Sequence, residues 1–189
     1  MRKSGILMHL SSIPSPYGIG TMGQAAREFV DFLQASGQQC WQLLPICPTS
    51  YGDSPYQSYS TFAGNPYFID LDELEQKGLL DKADYENVDW ESTPDRVNYG
   101  ALYQKRYPIL QKAANQFVQM IPDDFEEFCK ENEFWLEAFA LFMALKDVHG
   151  GAPWSEWPQA LRNREEKALE EAKETYETNI QFWKVLQYL

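Results

Sequence analysis

Apolar residues fall into two short unbroken runs near the start of the chain and into longer stripes at helical spacing after them. GILMHL, residues 5–10, is closed by the prolines and glycines of SSIPSPYGIG, which predicts a buried strand ending in a long loop. Thr21 and Gln24 stand at capping-box spacing, Ala26, Phe29, Val30 and Leu33 recur at i, i+3, i+4 and i+7, and Gly37 supplies a stop, which predicts a helix. CWQLLPI, residues 40–46, is a second strand-like run, again followed by a Pro/Gly-rich segment. Strand, helix and strand in this order predict a right-handed βαβ unit with parallel strands. In such units the loops after the C-terminal ends of the strands carry the chemistry, here residues 11–20 and 47–67.

The remainder reads as mainly helical. NPYFIDLDELEQKGLL passes through an extended FIDL stretch into a short helix that stops near Gly78, and residues 81–97 are polar and irregular. Asn98 is an N-cap for a helix that Pro108 is expected to kink. Asp123 or Asp124 caps a long stripe of Phe125, Phe128, Cys129, Leu136, Phe139, Phe142 and Met143, which His149-Gly150-Gly151 ends. From Gln159, Leu169, Ala172, Tyr176, Trp183 and Leu186 share one face and reach Leu189 with no stop signal, so this helix is expected to continue.

Composition narrows the partners. Sixteen Lys and Arg stand against 28 Asp and Glu, and a net charge of −12 repels phosphate backbones and anionic lipid surfaces, which argues against nucleic acid and membrane. No run approaches the roughly 20 apolar residues of a membrane span, and the start MRKSGILMHLSS lacks a secretory core, so the expected compartment is the cytoplasm. Cys40, Cys47 and Cys129 have no CxxC spacing, and two lie in or beside apolar runs. Buried free thiols are expected, with no disulfide and no metal site.

YGDSPYQSYSTFAGNPY, residues 51–67, combines four tyrosines with two prolines and two glycines. Such a segment must turn repeatedly at a surface. Its tyrosines either pack the loop onto a neighbour or offer rigid amphipathic faces to a flat, hydroxyl-rich ligand such as a sugar. Retaining glycosidic chemistry needs two carboxyls about 5–5.5 Å apart. The carboxylates in or just after the segment are Asp53, read as a turn former in Gly-Asp-Ser-Pro, and Asp70, and no residue reads as a catalytic acid or base. His9, at the end of the first strand, is either structural or a site residue, and His149 reads as structural at a helix C-terminus. The serines have no triad context, no glycine-rich phosphate loop is present, and Tyr99 and Tyr103, one helical turn apart, read as core packing.

GILMHLSSIPSPYGIG, CWQLLPICPTSYGDSPYQSYSTFAGNPYFIDL, FWLEAFALFMALKDVHGGAPWSEWP and REEKALEEA resemble, in order, the amylomaltases, the bacterial 4-α-glucanotransferases of the α-amylase superfamily. The resemblance implies an α/β fold, a (β/α)8 TIM barrel of which this chain holds the N-terminal β-α-β portion plus a mainly helical insertion. On that basis residues 1–50 hold the first strands and helix, 51–158 the helical insertion with a glucan-binding loop, and 159–189 a helix leading back to the barrel. The family's catalytic carboxylates lie on later strands, so no residue here receives those roles. Tyr56 resembles the tyrosine that stacks beneath the sugar next to the scissile bond, Ser54 a hydroxyl-binding neighbour, and Tyr51 and Tyr103 a pair that holds glucan at a second site. Asp53 and Pro55 shape the turn that presents them. The implied reaction moves α-1,4-glucan segments between maltodextrins by retaining double displacement, without metal or organic cofactor. The competing expectations are a hydrolase on the same barrel and a non-catalytic α-glucan-binding module. Two strands of a closed barrel leave an open sheet edge, so the chain by itself is expected to be poorly stable or to self-associate.

Overall fold

A computed structural model describes residues 2–189, which divide into two compact units with the boundary after Gln119. The first unit opens with strand β1 (Gly5–Leu7), helix α1 (Gln24–Ala35) and strand β2 (Cys40–Gln42). The strands pair in parallel, Gly5 opposite Cys40 and Leu7 opposite Gln42, so the predicted βαβ unit is present. Both strands are shorter than their apolar runs. After Leu7 the chain leaves the ladder and forms a single 3-10 turn at Leu10–Ser12.

These strands are not buried as the runs predict. All of β1 is exposed, with Leu7 at 59%, and on α1 only Ala26 and Leu33 are buried while Val30 and Phe32 face outward. A two-stranded sheet has one neighbour for each strand, which leaves two open edges and little to cover either face. The thiols also differ from the expected burial: Cys40 is exposed, and Cys47 and Cys129 are half-buried, although all three are free.

Thr21 does not cap α1. Its hydroxyl bonds the carboxylate of Asp70, and Gly23 occupies the cap position with no side-chain bond. Asp70 also accepts the Glu73 amide at 3.1 Å, thereby capping α2 (Leu71–Gln76). One carboxylate thus joins the starts of two helices that are distant in sequence. A side chain at Gly23 would collide with it. The expected extended FIDL is instead a 3-10 turn at Pro66–Phe68 followed by extended Ile69.

Helix α3 (Tyr99–Phe117) starts where predicted, with the Asn98 side chain accepting the Ala101 amide, and it runs without interruption through Pro108. Its inner face buries Leu102, Arg106, Ile109, Leu110 and Ala113. Arg106 is fully buried, donates to the backbone carbonyls of Tyr17 (3.3 Å) and Ile69, and lies 5.8 Å from the Trp90 ring centre. Burial pushes its pKa down to about 10, opposed by the nearby Asp70 carboxylate, so it remains cationic at neutral pH.

The second unit is all helical: α4 (Asp124–Glu131), α5 (Glu133–Val148), α6 (Gln159–Arg162), α7 (Glu166–Thr175) and α8 (Glu177–Tyr188). The single stripe predicted from Asp123 is broken at Asn132, whose side chain donates to the Phe128 carbonyl and accepts from the Trp135 indole. Helix α5 packs on α8, where the Trp183 indole donates to Asp147 at 2.7 Å and Lys184 pairs with Glu137. His149 closes α5 with Nδ1 2.7 Å from the Leu145 carbonyl and its ring stacked on Trp157, the structural role its position predicts. Among the described residues no helix is long and apolar enough to cross a membrane.

Arg106→Ala leaves two buried carbonyls without donors and opens a cavity, so it should destabilise the first unit by about 3–5 kcal/mol. Arg106→Met, which refills the volume but restores no donor, should recover only part of this loss. Urea unfolding followed by circular dichroism checks both; an unchanged midpoint for Arg106→Ala would remove the anchoring role.

Candidate functional site

Beyond β2, residues 49–58 fold into a tight double turn. Thr49 and Ser58 form an antiparallel bridge, and the Ser50 amide donates to the Gln57 carbonyl at 3.0 Å. Inside this frame the Asp53 amide donates to the Ser50 carbonyl and the Gln57 amide to the Ser54 carbonyl, each at 3.0 Å. Gly52 and Asp53 both adopt left-handed backbone, with φ of 96° and 56°. Glycine carries no penalty there, and aspartate is among the residues that tolerate it best. Ser54 Oγ accepts the Tyr56 amide at 3.4 Å, and Pro55 is half-buried beside it. The next serines serve the same end: Ser58 Oγ donates to the Ser60 carbonyl, and Ser60 Oγ accepts the Phe62 and Ala63 amides. Asn65 returns the chain to its start, with its amide on the Ile46 carbonyl and its side chain accepting the Tyr67 amide.

The tyrosines separate into two groups. Tyr51 is 98% and Tyr56 74% exposed, and among the described residues neither ring packs on another aromatic group. Tyr67 is buried, 6.2 Å from Tyr99 and 5.8 Å from Tyr107 between ring centres. Tyr103 lies 5.4 Å from Tyr107 and stays 59% exposed, so the core packing predicted for it does not hold. Tyr99, Tyr103 and Tyr107 lie at successive turns of α3. That spacing was visible in the sequence beyond Tyr99 and Tyr103, and Tyr107 is the member sequence reasoning missed.

Asp53 adjoins this array electrostatically. Burial, with the Asp53 charge next, holds the Tyr67 and Tyr99 hydroxyls above their usual pKa, and Tyr59 is raised mainly by burial. All remain neutral O–H groups at physiological pH. The structure therefore brings Asp53 and Tyr103 to one cluster, keeps Ser54 and Pro55 in the turn, and leaves Tyr51 and Tyr56 projecting from it. His9 lies just past β1, half-buried, with its ring edge-on to Phe68 at 5.5 Å. Ser11, two residues on, lies close to the Tyr99 hydroxyl.

A separate groove of about 300 Å³, lined by Tyr17, Thr21, Arg27, Asp70, Asp72 and Glu73 among others, is not where the tyrosines face. Most of its charged groups are already engaged. Asp72 accepts from Tyr17, Tyr85 and Lys82, Arg27 pairs with Glu73, and Asp70 is held by Thr21 and the α2 amide. Asp70 is thereby engaged as a cap. Among the described residues no cluster of His, Cys, Asp and Glu could hold a metal ion.

Residues 8–189 match a family described as 4-alpha-glucanotransferase. The chain is 48% identical over 189 residues to a 4-alpha-glucanotransferase of Streptococcus pneumoniae, covering 99% of this chain and 37% of that protein. It is 47% identical to a 4-alpha-glucanotransferase of Thermus thermophilus, covering 100% of this chain and 37% of that protein. An amylomaltase from Streptococcus agalactiae, solved in complex with acarbose, superposes with a TM-score of 0.94 at 41% identity, over 100% of this chain and 38% of that one. The chain thus spans little more than a third of the length of these relatives.

Burial raises the Asp53 pKa above the ordinary carboxylate value. The folded state then holds this proton more tightly than the unfolded state, so stability falls as pH rises from the unfolded pKa of about 3.9 through the folded one. Asp53→Asn keeps a residue suited to positive φ and removes the buried charge. It should raise the thermal midpoint at pH 7, with the gap to the parent closing below about pH 4. Asp53→Val, β-branched at φ 56°, should lower it at every pH. Calorimetry across this pH range tests both.

Proposed function

The chain belongs to the 4-alpha-glucanotransferase family, and from this premise we propose that the protein containing it transfers α-1,4-glucan segments between maltodextrins on a (β/α)8 barrel. Residues 1–50 are its first strands and helix, 51–158 a mainly helical insertion carrying the glucan loop, and 159–189 a helix returning to the barrel. Reaction proceeds by retaining double displacement: a carboxylate supplied outside residues 1–189 takes the glucosyl group, and a glucan 4-hydroxyl rather than water releases it. No cofactor is required, and the expected compartment is the cytoplasm.

The observation that carries this reading is the exposure of Tyr51 and Tyr56 on a loop whose backbone bonds are internally satisfied. An aromatic ring that packs on nothing contributes little to folding, whereas its flat apolar face with a hydroxyl at the rim suits a pyranose ring. Tyr56 is the stacking residue beside the scissile bond, with Ser54 hydrogen-bonding a sugar hydroxyl. Tyr51 and Tyr103 grip a remote part of the glucan. Asp53 and Pro55 hold the turn. The engagement of Asp70 as a helix cap favours a second reading for the chain taken alone, that of a non-catalytic glucan-binding wall. Hydrolysis on the same barrel is separated by counting reducing ends, which transfer conserves and hydrolysis increases.

In the full-length enzyme Tyr56→Ala should lower kcat/KM by an amount equivalent to about 1–3 kcal/mol on every substrate. Tyr51→Ala and Tyr103→Ala should spare transfer between short maltodextrins and change affinity or product pattern on amylose. Equal losses in all three variants on maltotriose and amylose, with intact circular dichroism, would refute the two-site division. The 189-residue chain alone should leave maltotriose unchanged. With Leu7 and Phe32 exposed beside two open strand edges, it should also self-associate, as light scattering will read.

A further inference from the structure

The imidazole of His9 has one buried nitrogen and no assigned role. Nδ1 is buried without a hydrogen-bond partner, and among the described residues no side chain or carbonyl bonds Nε2. An unpaired lone pair is tolerated in an interior more readily than an unpaired N–H, so the proton belongs on Nε2 and Nδ1 stays bare. Charging the ring would force a second N–H into the unpartnered buried position. Burial accordingly lowers the His9 pKa, and the ring is neutral at physiological pH. The ring packs edge-on to Phe68, which is next to Tyr67 of the aromatic array, and Ser11, two residues on, lies close to Tyr99 of the same array. A half-buried ring locked in one tautomer at the C-terminal end of a parallel strand presents a single fixed donor on the side where that fold class carries its ligands.

We propose that His9 Nε2–H donates a hydrogen bond to a hydroxyl oxygen of the glucan bound along the tyrosine array, as a specificity residue that none of the motif tyrosines replaces. This inference rests on the glucan reading above. A neutral donor suits an uncharged hydroxyl, because it adds no charge that the ligand would have to neutralise, and its strength does not vary over the range in which the ring remains uncharged.

In the full-length protein, imidazole-15N labelling follows His9, assigned by the signal set lost in His9→Phe, with His149, whose Nδ1 is held at the Leu145 carbonyl, as an internal reference. Maltoheptaose is added while the imidazole nitrogens and the tyrosine ring signals are followed separately. Before addition His9 should show the Nε2–H tautomer, and afterwards its Nε2 signal should shift with the tyrosines while His149 stays constant. His9→Phe, which keeps the ring packing on Phe68, should weaken binding by about 3- to 10-fold, the range of one neutral hydrogen bond, and His9→Gln, which retains a donor, should weaken it less. Tyrosine shifts without any response at His9, or equal affinity for parent and His9→Phe, would overturn the role of His9 and leave the glucan reading standing. Silence at both His9 and the tyrosines would overturn both. An Nδ1–H tautomer would overturn the fixed-donor argument.

Discussion

A fully buried guanidinium holds the first unit together. Arg106 has lost its hydration, and the compensation comes from two backbone carbonyls, the face of Trp90 and the field of Asp70. Taking a cation out of water costs several kcal/mol, so the site persists only if its acceptors are held in position. Of those acceptors, Tyr17 belongs to the loop between β1 and α1, and Ile69 to the segment that leads into α2. Three stretches of chain distant in sequence are thereby fixed to one side chain of α3, in a region with almost no sheet to organise it.

The register of the aromatic array follows from this anchor. Ile69 stands two residues after Tyr67, and Arg106 stands between Tyr103 and Tyr107, so securing one pair sets the approach of the other. Tyr67 packs against Tyr99 and Tyr107, and Tyr103 against Tyr107. The loop above needs little from these contacts. Its serines and Asn65 satisfy backbone amides locally, which lets Tyr51 and Tyr56 remain outside the packing. Rigid backbone and unpacked rings are usually in conflict in a loop; here short polar side chains remove the conflict.

Local signals were legible in the sequence and distant partners were not. Asn98, Gly37, Gly78 and His149 act where they stand, because a cap or a left-handed stop involves only the next few residues. Thr21 has the spacing of a cap, but Asp70, 49 residues away, takes its hydroxyl, and no local pattern encodes that pairing. Arg106 sits in YGALYQKRY, where a lone arginine between lysine and tyrosine resembles a solvated face. The break at Asn132 depends on side-chain bonds to Phe128 and Trp135, which a hydrophobic stripe passes over. The apolar runs of β1 and β2 correctly identified strands, yet burial depends on neighbouring strands, and among the described residues these two strands pair only with each other. In the loop, tyrosine enrichment was visible, but the division between packed and projecting rings required the fold.

Charge placement gives the last constraint on what the tyrosine face can receive. The chain carries a net charge of −12, but many of its ionic groups near the first unit are paired: Lys82 with Asp72, Lys112 with Asp84, Lys105 with Glu91 and Arg27 with Glu73. Around the array the polar groups are phenolic hydroxyls held protonated by burial, serine hydroxyls and a neutral imidazole, with Asp53 as the carboxylate of the turn. Such a surface supplies donors and acceptors without a positive field that would attract a phosphate. The glucan proposed above, an uncharged polyhydroxyl chain, would exchange its bonds to water for bonds to these groups at small desolvation cost, with the exposed ring faces as apolar area. Affinity from such neutral contacts is modest for each one, so on the proposed reading a long ligand contacting several of them in series would be bound far better than a single sugar.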